Sequence, residues 1–453
     1  MFTYQDIAQA LALPFSEQEG WCDRVSIDSR AVQPKDLFIA ISGPRFDGHD
    51  FIMDAVQAGA AAVVVTRRMD GVTVPQFVVE DPVLALGQLA QFHRQRLLSC
   101  QVVALTGSNG KTTVKEMIAS ILLKPVCVTQ GNLNNHLGVP LSLLRLESLH
   151  DYAVFELGAN HVGEIAYTAK LVKPQVALVN QVAPAHIGEF GSIEQIAQAK
   201  GEIYDALATG GFAIVNDDEP YAHFWDANLG DKSVIRFSMT HAADLYAEAI
   251  FFDTHGFASF HLITPKGMVP VRLRVPGKHN IANALAAASC AYALDIPLTE
   301  IASGLQRFMG VPGRLASLEG LSGAIVIDDT YNANLRSVLT AIEVLAKRKG
   351  RRIFVFGEMG ELGEHSQMHH QRVGYAAREQ GIDLLFTCGK LSQYAADAFG
   401  SSARHYETQT ALLVDLKPYL AAGTTVLVKG SRASHMERIV EALLVESRME
   451  EKH

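Results

Sequence analysis

Cysteine is scarce in this chain: five residues (Cys22, Cys100, Cys127, Cys290, Cys388) among 453, scattered and never in a CxxC pair. An odd, dispersed set excludes a disulfide framework and a zinc ribbon, and fits a reducing cytoplasm. Long apolar runs are missing too. Stretches such as 58–65 fall far short of the ~18 residues that span a bilayer, so no membrane insertion is expected. The opening residues, MFTYQDIAQALALPF, lack a basic segment and carry Asp6, which argues against a signal peptide. Basic residues are outnumbered, 39 Lys and Arg against 48 Asp and Glu, for a formal net charge of −9. That balance disfavours nucleic acid as a partner but leaves room for a local phosphate pocket. What is plentiful is apolar material: 48% of residues are hydrophobic and 19% charged, enough for several cores. At about 150 residues per domain the length suggests two or three domains.

Short apolar runs bounded by Gly, Pro and Asp open the chain: DLFIAI (36–41), AAAVVV (60–65) and QFVVE (76–80) read as buried strands. A helical segment over 82–99 follows. From VVALTG (102–107) onward, strands recur at VCVT (126–129), YAVFEL (152–157), VALVN (176–180) and FAIVN (212–216). Helical stretches separate them, the βαβ rhythm of a parallel sheet covered on both faces. Residues 233–275 alternate differently and predict an antiparallel layer, followed by an alanine-rich helix over 280–294. GVPGR (310–314) reads as a linker, and a second βα series begins beyond it: AIVIDD (324–329), RIFVFGE (352–358), DLLFTCG (383–389) and TVLVKG (425–430). The expected fold class is α/β with three domains, over 1–100, 101–312 and 313–453.

The segment Thr106-Gly107-Ser108-Asn109-Gly110-Lys111-Thr112-Thr113 follows a strand and precedes a helical pattern, the setting a phosphate-binding loop requires. Small residues let backbone N–H groups face phosphates, a lysine neutralises charge, and a threonine hydroxyl can reach Mg²⁺. Leu105 stands where the strict GxxxxGK[ST] pattern has its first glycine, so the form is the shorter TGxxGKT. ATP is the expected ligand. Glu156 ends a neighbouring strand in YAVFELGAN, where ligands collect in open α/β sheets. A carboxylate there is costly unless paired or metal-bound, and the residues alone leave both open. His186, in NQVAPAHIGEFG, is either a solvent-facing loop histidine or a metal ligand.

With these motifs the chain resembles the Mur ligase family, the ATP-dependent amide-forming enzymes of peptidoglycan assembly. The resemblance covers essentially the whole chain. It is carried by GNLNNHLGVPLSLLRL (131–146), FELGANHVGEI (155–165), AHIGEFGS (185–192), AKGEIYDAL (199–207), IDDTYNAN (327–334), FGEMGELG (356–363) and VKGSRASHMERIV (428–440). It implies a central P-loop-type, mostly parallel domain and a Rossmann-like C-terminal one. Within the family these segments are most similar to the branch that joins D-alanyl-D-alanine to UDP-N-acetylmuramoyl-tripeptide through an acyl phosphate. Two positions depart from that pattern: Leu335 follows Asn334 where proline is common, and His136 follows NLNN where an acidic residue is frequent.

The resemblance implies roles residue by residue. Gly107, Ser108, Asn109, Gly110, Lys111, Thr112 and Thr113 would cradle ATP, with Thr112, Glu156 and His186 at Mg²⁺. Lys200 matches a lysine that the family carries as a carbamate, an anionic oxygen ligand suited to a hard cation; read alone it is an ordinary exposed helix lysine. Asn280 and Asn283 match adenine-side asparagines, although Asn280 by pattern alone could simply cap a helix. Arg314 matches a γ-phosphate contact and Asp329 a ribose contact. Both lie across the linker from the phosphate loop, so the third domain must close over ATP. Ser29, Arg30, Arg45, Phe46 and His49 would meet the uridine nucleotide, and Asn134, Asn135, Tyr331 and Asn332 the substrates. The implied partners are those small molecules, with no nucleic acid, and the chain is expected to act as a monomer in the cytoplasm.

Other signals carry less. The basic run Lys347, Arg348, Lys349, Arg351, Arg352 sits at a helix end, where cations favour the dipole and solvent. HSQMHH (365–370) lacks the HExxH zinc pattern and reads as a solvated helix start, and Gly357, Gly360 and Gly363 do not make GxGxxG. Two rival readings remain: the tripeptide-forming ligase of the same family, whose diaminopimelate-adding members usually show a DNPR tetrapeptide absent here, and a P-loop nucleotide switch, for which no NKxD is present.

Overall fold

The structure, a computed structural model, describes residues 2–14, 18–44, 46–184, 190–253, 256–360 and 362–444. Arg45 and His186 lie outside the described residues. Strand alternation decides how the sheets are covered. In Gln101–Thr106, Val103 and Leu105 enter a core with the helices Lys111–Ile121 and His279–Ala293, while Val102 and Ala104 enter the core on the other face. Val176–Val179 divides in the same way, Val176 and Leu178 against Ala177 and Val179. The result is a nine-stranded sheet, residues 101–276, with helices on both faces.

A four-stranded parallel sheet (residues 24–78) precedes it, and a six-stranded sheet (residues 316–429) follows. The latter is parallel except for its first strand, Ala316–Glu319, which runs against Ile325–Asp329. The antiparallel layer expected over 233–275 is smaller than the pattern suggested. Ser233–Ser238 extends the parallel sheet beside Phe212–Asn216, because Ile235 and Phe237 face one core while Val234 packs on the other. Only Leu245–Phe252, Phe257–Thr264 and Gly267–Pro276 form the antiparallel part.

Gln101–Thr106 lies between Tyr152–Glu156 on one side and Val176–Val179 on the other, parallel to both. The chain therefore reverses its direction of winding at this strand, and the loops after residues 106, 156 and 179 meet at one edge. The expected linker is a pinned turn: Arg314 N donates to Val311 O at 3.1 Å, and Gly313 N to Asp328 Oδ2 at 3.1 Å. It carries the six-stranded sheet up to that same edge.

Candidate active site

Between the two larger sheets lies a cleft of about 1310 Å³. Its floor is the phosphate loop. Gly110, at φ +80°, turns the chain into helix Lys111–Ile121, whose N-terminus has no side-chain cap among the described residues, so its N–H groups stay available to an anion. A Cβ on Gly110 would fall 2.6 Å from Asn283 Oδ1, at a left-handed φ that side chains resist, so the position favours glycine. Lys111 Nζ folds back onto Gly107 O at 2.8 Å. Enclosure by protein lowers its pKa, opposed by Glu156 and reinforced by Arg314.

The buried Glu156 has both carboxylate oxygens engaged: Thr112 Oγ1 donates to one and Asn134 Nδ2 to the other, each at 2.8 Å. Arg314 Nη2 donates to Thr112 Oγ1 at 2.9 Å, so a residue from beyond the linker reaches the phosphate-loop helix. The Tyr331 ring lies under that guanidinium at 4.2 Å. Asp329 pairs with Lys429 at 2.6 Å, and burial raises its pKa against the opposing pull of Lys429.

Lys200 departs from its reading as an exposed helix lysine. It is only 5% exposed, because its face of helix Ile193–Asp205 packs into the central core, and it lines the cleft. Burial, with Lys111 adding a like charge, pushes its pKa down to about 7. No carboxylate among the described residues compensates it. Asn280 is not a cap: Lys278 occupies that position, and Asn280 Nδ2 donates to Pro276 O at 2.8 Å. Its Oδ1 accepts from Asn283 Nδ2, and Asn283 Oδ1 accepts from Asn180 Nδ2, so an asparagine row runs along the loop. Asn134, Asn135, Tyr331 and Asn332 also line the cleft.

The expected nucleotide-sugar residues are elsewhere, on the four-stranded unit. Ser29 starts a 3-10 turn, Arg30 is exposed and pairs with Asp28, and Phe46 is exposed in a T-shaped contact with Phe51. His49 is buried rather than presented: Nδ1 bonds Asp47 Oδ1 at 2.7 Å and Nε2 accepts from Thr66 N at 3.0 Å. Both ring nitrogens are used in holding the loop. His370, read as part of a solvated helix start, is likewise buried, packed on Phe356 with Nε2 accepting from Met359 N.

Residues 23–94 match the Mur ligase family, catalytic domain; 105–291 the Mur ligase middle domain; and 313–432 the Mur ligase, glutamate ligase domain. A protein of Escherichia coli (strain K12), UDP-N-acetylmuramoyl-tripeptide--D-alanyl-D-alanine ligase, is 46% identical over 426 residues, covering 93% of each chain. The chain belongs to the Mur ligase family. Among solved structures, MurF from Acinetobacter baumannii superposes with a TM-score of 0.91 at 38% identity, covering 98% of both chains. MurF ligase from Thermotoga maritima in complex with ADP gives 0.81 at 28% identity, over 92% of this chain and 96% of that one.

In this Mur ligase the departure at Leu335 is accommodated locally. Leu335 is the first residue of helix Leu335–Ala346, where proline is favoured; here Asn334 and Ser337 form a capping box instead. His136 is exposed, while its neighbour Asn135 caps the following turn through Leu137 N and Gly138 N. Asn180, Glu219, Arg336 and Lys429 are among the cleft residues that escaped the sequence reading. Asn180 follows strand Val176–Val179 as directly as Glu156 ends its own, so the strand-end rule reaches it. Lys429 and Asp329 end adjacent parallel strands in register, a complementary pair of strand ends. Arg336 and Glu219 carry no such local signal.

Proposed function

We propose that this chain is an ATP-dependent ligase that joins D-alanyl-D-alanine to UDP-N-acetylmuramoyl-tripeptide, a step of peptidoglycan precursor assembly. One observation carries the proposal: Arg314, from beyond the linker, meets Thr112, which in turn bonds Glu156, at the mouth of an anion-binding helix. A carboxylate is a poor electrophile toward an amine, and this arrangement suits its activation by phosphoryl transfer. Relatives of nearly full coverage bear that ligase's name, which favours it over the tripeptide-forming alternative and over a nucleotide switch.

In the reaction a terminal carboxylate oxygen of the tripeptide bonds to the γ-phosphorus of ATP as the bond to ADP breaks. The amine of D-alanyl-D-alanine then attacks the acyl carbon, loses a proton, and phosphate departs with the C–O bond. Lys111, the loop N–H groups and Arg314 meet the charge on the transferring phosphoryl oxygens. Asn280, Asn283 and Asp329 hold the nucleoside. Residues 1–100 dock the nucleotide-sugar end, 101–312 hold ATP, and 313–453 bring the dipeptide and exclude water from the acyl phosphate. Ser29, Arg30, Arg45 and Phe46 contact the uridine nucleotide, and His49 fixes its own loop through Asp47 and Thr66. Asn134, Asn135, Tyr331 and Asn332 face the reacting ends.

The donor set fits magnesium. Glu156 and Thr112 are hard oxygen donors, and a buried lysine lowered to about pH 7 is neutral often enough to add CO₂. The Lys200 nitrogen bonds the carbon, a proton leaves, and the resulting carbamate supplies further anionic oxygen; His186 is the remaining candidate ligand. Magnesium bound there would screen phosphate charge. No helix among the described residues is long and apolar enough to cross a membrane. A monomer acting in the cytoplasm goes with this reading. The test is phosphate release: it should require both the UDP-tripeptide and D-alanyl-D-alanine, and release independent of both would contradict the ligase.

A further inference from the structure

Helix Leu335–Ala346 of the six-stranded unit touches the phosphate-loop side at two points within its first turn. Asn334, its cap, donates from Nδ2 to Asn109 Oδ1 at 2.8 Å. Arg336 Nη2 lies 3.1 Å from Glu219 Oε1, an ion pair between residues 117 apart in the chain. Glu219 is nearly buried, its side chain 7% exposed against 47% for Arg336. Its carboxylate also receives Val182 N at 3.1 Å and Gln181 Nε2 at 3.4 Å. Gln181 in turn serves the loop: its side-chain oxygen accepts from Asn109 Nδ2 at 3.1 Å, and its carbonyl from Ser108 N at 2.7 Å. The circuit Arg336–Glu219–Gln181–Asn109–Asn334 thus begins and ends on one helical turn.

We infer that Arg336 and Glu219 are positioning residues, a latch that holds the C-terminal unit closed and transmits that closure through Gln181 to Ser108 and Asn109. The inference rests on the ligase reading for its meaning. Glu219 is a buried carboxylate whose one cationic partner among the described ion pairs comes from the other unit. Opening the cleft leaves that charge with neutral donors only, which biases the pair toward contact. Asn334 alone, a neutral amide pair, sets orientation with less bias. A competent state populated less often weakens apparent ligand affinity in proportion, because the ligand must then drive closure itself.

The test uses the full chain and the variants Arg336→Gln and Glu219→Gln, the latter keeping an acceptor for Val182 N and Gln181. Small-angle scattering follows compaction on titration with ADP and magnesium, and steady-state assays give KM for ATP and kcat. Because Arg336 is half-exposed and screened, each variant should need about 3–10-fold more ADP to compact and show a like rise in KM, with kcat within about twofold. The double variant should be no worse than either single one, as for two residues acting through one contact. Arg336→Lys should recover most of the effect. Compaction at the wild-type ADP concentration in both single variants, or strictly additive losses, would overturn the latch. Failure of the wild-type chain to form product while the compaction shifts persist would count against the ligase reading and leave the latch standing.

Discussion

Arg314 donates from Nη2 to Thr112 Oγ1 across 2.9 Å, and Thr112 Oγ1 in turn donates to Glu156 Oε2 at 2.8 Å. Arg314 and Thr112, 202 positions apart in the chain, are thereby joined at the start of the phosphate-loop helix. Replacing Arg314 with Ala should lower kcat by ~10²–10³, the loss seen when a preorganised donor to a developing charge is removed. Lysine should not restore it, since a point charge lacks the guanidinium fork. Steady-state kinetics of both variants, with circular dichroism to establish the fold, check this.

Tyr331 supports Arg314 with its ring face, 4.2 Å from the guanidinium carbon. A contact of this type contributes about 0.5–2 kcal/mol. Tyr331→Phe keeps the face and should stay near wild-type kcat/KM, whereas Tyr331→Ala should lose about 3–30-fold. Equal losses in the two variants would point instead to the phenol hydroxyl.

Lys200 gives a pH signature. Its pKa lies at about 7 against an ordinary 10.5, so between those values the unfolded chain binds more protons than the folded one. Stability of the CO₂-free protein should therefore rise with pH through this window, and the penalty of the buried cation should be fully present below it. Lys200→Met should remove that slope in urea midpoints measured from pH 7 to 10. In activity, Lys200→Ala should lose at least about 10²-fold, and wild-type enzyme depleted of CO₂ should regain activity on adding bicarbonate.

Gly110→Ala tests the loop itself. The new methyl would collide with Asn180 Nδ2 and lie 2.6 Å from Asn283 Oδ1, at a φ of +80° that alanine resists. Strain of ~1–3 kcal/mol should appear in stability, and ADP affinity by calorimetry should fall by tenfold or more.

The phosphate loop and Glu156 were legible because their signals are local: a strand, a short glycine-rich turn and a helix in order, then a carboxylate at a neighbouring strand end. Both larger sheets were legible through their apolar runs, but Ala316–Glu319 and Ala403–Tyr406 were not, being short strands with no fully buried residue. Lys200 shows why composition around a residue says little about burial: its enclosure arises from helix Ile193–Asp205 packing on the sheet beside Lys111, a tertiary event. His49 read as a loop contact because the sequence displays the loop and not Thr66, its partner 17 residues on. Arg336 and Glu219 are further apart still, and nothing in either neighbourhood announces the other.

The most direct test of the account is mass spectrometry of the product formed from UDP-N-acetylmuramoyl-tripeptide, ATP, magnesium and a panel of amines that includes D-alanyl-D-alanine and single amino acids. The account predicts one new species, the tripeptide plus the dipeptide less one water, with ADP and phosphate released. A product extended by a single amino acid, or ATP hydrolysis with no amide formed, would contradict it.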